Sequence, residues 1–385
     1  MWGSNFARFG FRKPQSAAYA TFSPTLNIEN QGNQPTFVGG NFWDGRATGH
    51  KLGQPTADQA PESSLTPWEM DFADLQDFNA FTKQGTDPNN QEACPVYRVL
   101  NPVDRTYPVS YQDVWGNGAS DISWPADIQG LCAVENAKIP LSDTDRAKVD
   151  TVYNNIVLSI TAYEGSNEVN QFTSKYDYYL ASKVNLSADE KQGLNLFQGK
   201  ANCNSCHLLG SGPNGAPPLF TDFAFENLGV PKNPENPWYK MPPEFNPDGF
   251  NFVDKGLGAT LAAADQHQLP NDYKQYADEN MGKMQTATLR DMDKRPSPDF
   301  VKAYMHNGYF KSLKSVVHFY NTRDVLPACP NAFTTEAQAL AQNCWPAPEV
   351  AANVNHDELG HLGLSDTEEN QVVAFLKTLS DGYQP

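Results

Sequence analysis

The five residues Cys203-Asn204-Ser205-Cys206-His207 constrain this 385-residue chain more than any other stretch. A C-x-x-C-H run presents two thiols and an imidazole from about one turn of backbone. Two thiols at that spacing suit the two vinyl groups of haem, and the adjacent imidazole suits its iron. With 6 cysteines and 7 histidines in the chain, random order would give the run in roughly two chains in a thousand, so chance is a poor explanation. The rival readings are a disulfide and half of a zinc site. Zinc asks for a second ligand pair at similar spacing, and Cys329 and Cys344 stand too far apart to supply one. The sequence therefore predicts one covalently attached c-type haem on Cys203 and Cys206, with His207 as an iron ligand.

Four cysteines remain, Cys94, Cys132, Cys329 and Cys344. They can pair in three ways, of which the local one, 94–132 with 329–344, is the simplest. The alternative is four buried free thiols. Disulfides and c-type haem both point to a periplasmic or otherwise extracytoplasmic compartment. An exported protein should open with a basic and then apolar leader, but M-W-G-S-N-F-A-R-F-G-F-R-K-P has no apolar core. Either the leader has been removed or the sequence starts inside a longer protein. The net charge of −17 argues against nucleic acid and against an anionic membrane surface. It would instead steer a basic partner, over the roughly 10 Å that salt allows. No apolar run approaches the roughly 18 residues of a membrane span.

Length allows two domains, and the 29 prolines and 27 glycines imply long ordered loops. Residues 1–135 show little periodicity and weak strand signals, so irregular structure with short helices is expected there. Three segments carry helix starts, each a serine followed by acids. The first runs from Ser142 to about Glu168 and places Val149, Val152, Ile156, Ile160 and Tyr163 on one stripe. The second begins at Ser187 and runs through Leu194 and Phe197 to Gly199. The third begins at Ser365 and buries Val372, Val373, Phe375, Leu376 and Leu379. A capped helix, the C-x-x-C-H run, a long loop region and a capped terminal helix is the layout of a class I cytochrome c domain. The sixth iron ligand must come from far along the chain. Met281, Met284 and Met292 are the candidates, each of which could equally be a flexible core filler.

Several further blocks resemble the bacterial di-haem cytochrome c peroxidase and MauG family. They are F-W-D-G-R-A at 42–47, Q-A at 59–60 followed by P-W-E-M at 67–70, and F-T-S-K-Y-D at 172–177. Next come L-F-Q-G-K-A-N-C-N-S-C-H at 196–207, T-A-T-L-R-D at 286–291 and A-Y-M-H-N-G-Y-F-K-S-L at 303–313. The blocks follow family order over most of the chain. The resemblance implies a mainly α fold of two cytochrome c-like domains with long irregular loops. The N-terminal one, residues 1–175, is the peroxidatic domain and is incomplete, and the C-terminal one, residues 176–385, carries the covalent haem. It further implies that Trp43 relays electrons between the haems. Gln59 and Glu69, ten apart, would serve the peroxidatic haem, where a carboxylate can move a proton between the peroxide oxygens.

The family's first C-x-x-C-H lies upstream of the segment matching F-G-F-R-K-P, and no cysteine precedes that segment here. A second haem is therefore expected if the full chain is longer. Many members bind calcium between the haems with help from an asparagine; Lys13 stands in that place, which argues against calcium. The stretch L-R-D-M-D-K-R-P is longer than usual, so the sixth ligand does not transfer. Three functions follow. One is a periplasmic peroxidase reducing hydrogen peroxide with electrons from a small basic cytochrome c or cupredoxin. Another is a MauG-like oxidase acting on tryptophan or tyrosine of a partner protein, which a tyrosine sixth ligand such as Tyr304 or Tyr309 would favour. The third is a mono-haem electron carrier. A homodimer is compatible with each.

Overall fold

The strongest local signals become helices where the sequence places them. The computed structural model describes residues 8–31, 34–70, 91–102, 109–134, 137–297 and 299–385, so the opening seven residues weighed above as a leader lie outside it. Among the described residues the chain forms β1 (Asn27–Gln31) and β2 (Gln34–Val38), then α1 (Pro55–Leu65), α2 (Ala93–Leu100), α3 (Tyr111–Trp115) and α4 (Ile128–Leu131). There follow α5 (Asp143–Glu164), α6 (Lys175–Leu180), α7 (Ala188–Gln198), β3 (Phe225–Glu226), α8 (Leu257–Ala262) and β4 (Met284–Gln285). The last three helices are α9 (Leu313–Thr322), α10 (Glu336–Gln342) and α11 (Asp366–Lys377). The fold is mainly helical with little sheet, in two antiparallel pairs, β1 with β2 and β3 with β4.

Ser142, Ser187 and Ser365 each cap their helix by accepting the amide three residues on. This satisfies one of the four amides a helix start leaves without a partner. The stripe on α5 differs from the sequence reading. Val149, Val152, Tyr153, Val157 and Thr161 are buried, whereas Ile160 and Tyr163 are 42% and 54% exposed. Strict spacing of three and four drifts around a 3.6-residue helix, and the face that meets α1 and α2 turns away from Ile160. The hairpin β1–β2 is also new. Its sequence is polar, and its anchor is Phe37, buried edge-on against Tyr273 and Tyr276.

Two large apolar clusters organise the chain. One joins Leu65 and Val96 to Val149, Val152 and Val157 of α5, and Cys94–Cys132 closes it as a disulfide with α-carbons 5.6 Å apart. The other joins α7, α9 and α11, with the Cys329–Cys344 disulfide at its edge, α-carbons 5.1 Å apart. Both pairings are the local ones. Helices α7 and α11 touch backbone to backbone at Gly193, where a β-carbon would lie 1.9 Å from the carbonyl oxygen of Gln371. No helix among the described residues is long and apolar enough to cross a membrane.

Candidate haem site

Helix α7 ends at Gly199 and delivers the chain into the C-x-x-C-H turn. Asn202 takes a left-handed conformation, and Cys203–Ser205 then wind a 3-10 turn. The amides of Cys206 and His207 both donate to the Cys203 carbonyl. Cys203 and Cys206 are free thiols. Burial pushes both up to about 12, so both stay protonated at neutral pH. Thiols facing an apolar space suit addition to a vinyl group. Among the described residues no cluster of three or more His, Cys, Asp or Glu could hold a metal ion.

His207 Nδ1 lies 2.8 Å from the Phe220 carbonyl oxygen. A carbonyl only accepts, so Nδ1 carries the proton and Nε2 keeps its lone pair for a metal. Burial lowers the imidazole to about 4, keeping it neutral as a ligand must be. Around these groups opens a cavity of about 1200 Å³, larger than the roughly 300–1,000 Å³ usual for a small-ligand site. Its wall near the motif includes Phe197, Leu313, Val317, Val372 and Leu376. Two thiols, one imidazole with a fixed tautomer and an apolar wall fit a covalent haem.

The same cavity reaches into the N-terminal part of the chain, where Trp43 and Gln59 also line it. The F-W-D-G-R segment explains how Trp43 is held. Asp44 pairs with Arg12 at 2.6 Å and with Arg46 at 3.0 Å, and Arg46 lies 3.8 Å over the Phe42 ring. Although burial alone would raise Asp44, these two guanidinium groups hold it below the usual carboxylate range. In the tight turn, Gly45 adopts φ 70° where a β-carbon would meet the Phe225 ring at 2.8 Å. Trp43 Nε1 then donates to the Lys13 carbonyl at 2.8 Å, the Lys13 amide donates to the His306 carbonyl at 2.6 Å, and the His306 ring lies edge-on to the indole.

Other sequence candidates fall differently. Glu69 follows α1 in an exposed turn and is outside the cavity wall. The buried carboxylate nearby is Glu62, bound to Arg46 at 3.1 Å; burial, Asp44 and Glu69 all raise it. Met284 and Met292 line the cavity, but Met281 packs beside Leu257 and Leu261 instead. Met305, in the A-Y-M-H-N-G block, lines the cavity too and packs on the same cluster as Cys203 and Met292. It is a thioether that the spacing argument missed. The phenols of Tyr304 and Tyr309 are engaged, donating to Asp293 at 2.9 Å and to the Thr334 carbonyl at 3.1 Å. Tyr320, which the sequence reading also missed, lines the cavity, and burial raises its phenol well above the ordinary value. Lys13, in the place of the family's calcium-binding asparagine, is lowered by burial and by Lys302.

No family model matches the chain. The methylamine utilization protein MauG of Paracoccus denitrificans (strain Pd 1222) is 26% identical over 385 residues, covering all of this chain and 78% of that protein. The cytochrome-c peroxidase IdrP1 of Denitromonas iodatirespirans is 29% identical over 233 residues, 58% of this chain and 48% of its own length. These likenesses support the resemblance to the di-haem cytochrome c peroxidase and MauG family. The fold agrees: the solved structure of the diheme peroxidase BthA from Burkholderia thailandensis E264 superimposes with a TM-score of 0.60, at 22% identity, over 99% of this chain and 75% of that one. The relatives support a c-type haem oxidoreductase of the peroxidase or MauG type.

Proposed function

We propose that the chain reduces hydrogen peroxide with electrons from a small redox protein, in an extracytoplasmic compartment. One observation carries this reading: Trp43 and Gln59 face the same cavity as Cys203, Cys206 and His207. Haem bound there supplies an iron that changes oxidation state and passes single electrons. Cys203 and Cys206 would hold it by thioether bonds and His207 through Nε2, with Met284, Met292 and Met305 the methionines that line the cavity. Trp43, pinned at both its edge and its nitrogen, is the relay to the peroxidatic end. Gln59 would orient peroxide there, and Glu69 would move its proton from one oxygen to the other, with Glu62 close behind. The reading includes a second haem, on a C-x-x-C-H that these 385 residues do not contain.

The division near residue 175 belongs to the same reading. Its support is that one apolar cluster is built from residues between 65 and 157 and the other from residues between 176 and 379. Two disulfides support the location, and the charge of −17 supports a basic cytochrome c or cupredoxin as donor. A second reading, oxidation of tryptophan or tyrosine on a partner protein, is favoured by the similarity to MauG over the whole chain.

Glu69→Gln tests the reading. Peroxide turnover, followed as oxidation of a reduced small cytochrome, should fall about 10²-fold or more while the spectrum of the haem at His207 stays as in the wild type. Undiminished turnover in that variant would refute the acid–base role. Absence of peroxide turnover in the wild-type protein would leave partner oxidation or plain electron carriage.

A further inference from the structure

We infer that Arg290 is a positioning residue for His207: it fixes the backbone strap whose carbonyl takes the His207 proton, and thereby sets how strongly the imidazole donates to iron. The inference rests on the haem at Cys203 and Cys206 proposed above.

Arg290 is the largest fully buried side chain among the described residues. A guanidinium out of water persists only where its donors are matched. Two of its nitrogens donate in parallel to Asp177, at 3.0 and 2.8 Å, and Nε donates to the Pro218 carbonyl at 2.7 Å. The rings of Phe172 and Tyr19 lie 4.5 and 5.1 Å from its central carbon. Two residues earlier, Thr288 Oγ1 donates to the Leu219 carbonyl at 2.6 Å and accepts the Arg290 amide. The next carbonyl, that of Phe220, accepts from His207 Nδ1. Three consecutive carbonyls, 218 to 220, thus each hold one side chain, and the third belongs to the haem ligand.

Phe220 itself sits at φ 54°, a left-handed conformation that a residue with a β-carbon adopts only where its surroundings fix it. Arg290 and Thr288 supply that fixing. Asp177 is anchored in turn, since its carboxylate closes the capping box at the start of α6 with Ser174. The strap, the helix start and the proximal hydrogen bond therefore form one unit with Arg290 at its centre. A firm Nδ1–H bond to a carbonyl makes the imidazole a stronger donor and favours ferric iron. A loosened strap favours ferrous iron.

Arg290→Lys in the haem-loaded protein keeps the charge but lacks the planar fork that serves Asp177 and Pro218 together. Poised at the wild-type midpoint, its ferric-to-ferrous ratio should fall about tenfold, equal to about 59 mV for a one-electron couple. The His207 Nδ1 proton, followed by NMR, should exchange faster with solvent. Thr288→Val, which changes no charge, should move both readouts the same way by less. Normal haem content and folding in both variants with both readouts unmoved would overturn the role. If Arg290→Lys fails to fold, Thr288→Val decides alone: a shift supports the role and no shift overturns it. Lack of covalent haem in the wild-type protein, scored by pyridine haemochrome, would instead refute the haem reading beneath it.

Discussion

Gly193→Ala should weaken the C-terminal core although alanine is the better helix former. The added carbon would stand 1.9 Å from the Gln371 carbonyl oxygen, 2.7 Å from the carbonyl carbon and 2.9 Å from the Phe375 β-carbon. Two of these three are backbone atoms of α11, so no rotamer change relieves them. The helices must part by more than 1 Å to reach ordinary contact, and a gap of 0.5–1 Å already forfeits about a quarter to a half of each dispersion contact. Leu194, Phe197, Val372, Phe375 and Leu376 all lie in the cluster that would open. Overpacking at such a site costs about 3 kcal/mol, the upper part of the usual range. The helix preference of alanine over glycine returns about 1 kcal/mol, leaving a net loss of about 2 kcal/mol. For a domain of this size that lowers Tm by about 4–8 °C, measurable by circular dichroism together with haem absorbance. An unchanged or raised Tm would mean that α7 and α11 do not cross at Gly193.

Three outcomes follow from other features. Glu369 is pushed up by burial, yet hydrogen bonds from His318, Lys314 and Asn321 hold it down at about 2. Its folded value lies below its unfolded one, so its stabilisation is present above about pH 4.5 and lost as pH falls toward 2; Glu369→Gln should flatten acid unfolding in that window, and an unaltered profile would refute the assignment. Opening Cys329–Cys344 as the double serine variant releases a loop of 15 residues and should cost about 3 kcal/mol in denaturant unfolding. Cys206→Ala should leave haem attached by Cys203 alone, seen as retained covalent haem with an altered pyridine haemochrome; loss of all haem would show that one thiol cannot hold it.

Much of the C-terminal half was legible because its signals are local. A serine followed by acids marks a helix start through bonds within four residues, and C-x-x-C-H is complete within five. Both disulfides took the local pairing for the same reason. What escaped the sequence depends on distant partners. Phe37 makes a strand of polar residues worthwhile only because Tyr273 and Tyr276 are there to cover it. Arg290 reads as one charge in a motif until Asp177, 113 residues away, is found beside it. Ile160 looked like a core residue by spacing, but the neighbours of α5 stop short of it. Met305 lay inside a quoted block, yet which methionine reaches the cavity is decided by the path of the chain between 292 and 305. Glu69, chosen by spacing, stands exposed outside the cavity wall, while the buried carboxylate of that segment is Glu62, paired with Arg46.

The crossing at Gly193 also bears on the order in which the molecule assembles. Helix α7 leads into the haem motif, and its packing partner α11 is the last helix of the sequence; Lys200 and Glu368, bridged at 2.7 Å, are separated by 168 residues. Closing a loop of that length costs roughly 4–5 kcal/mol of chain entropy before any contact forms. Contacts so remote slow folding, because that entropy is lost before they repay it. The helix that leads into the two thiols is therefore secured only by a segment some 168 residues further along, and that wall becomes rigid when the two have met.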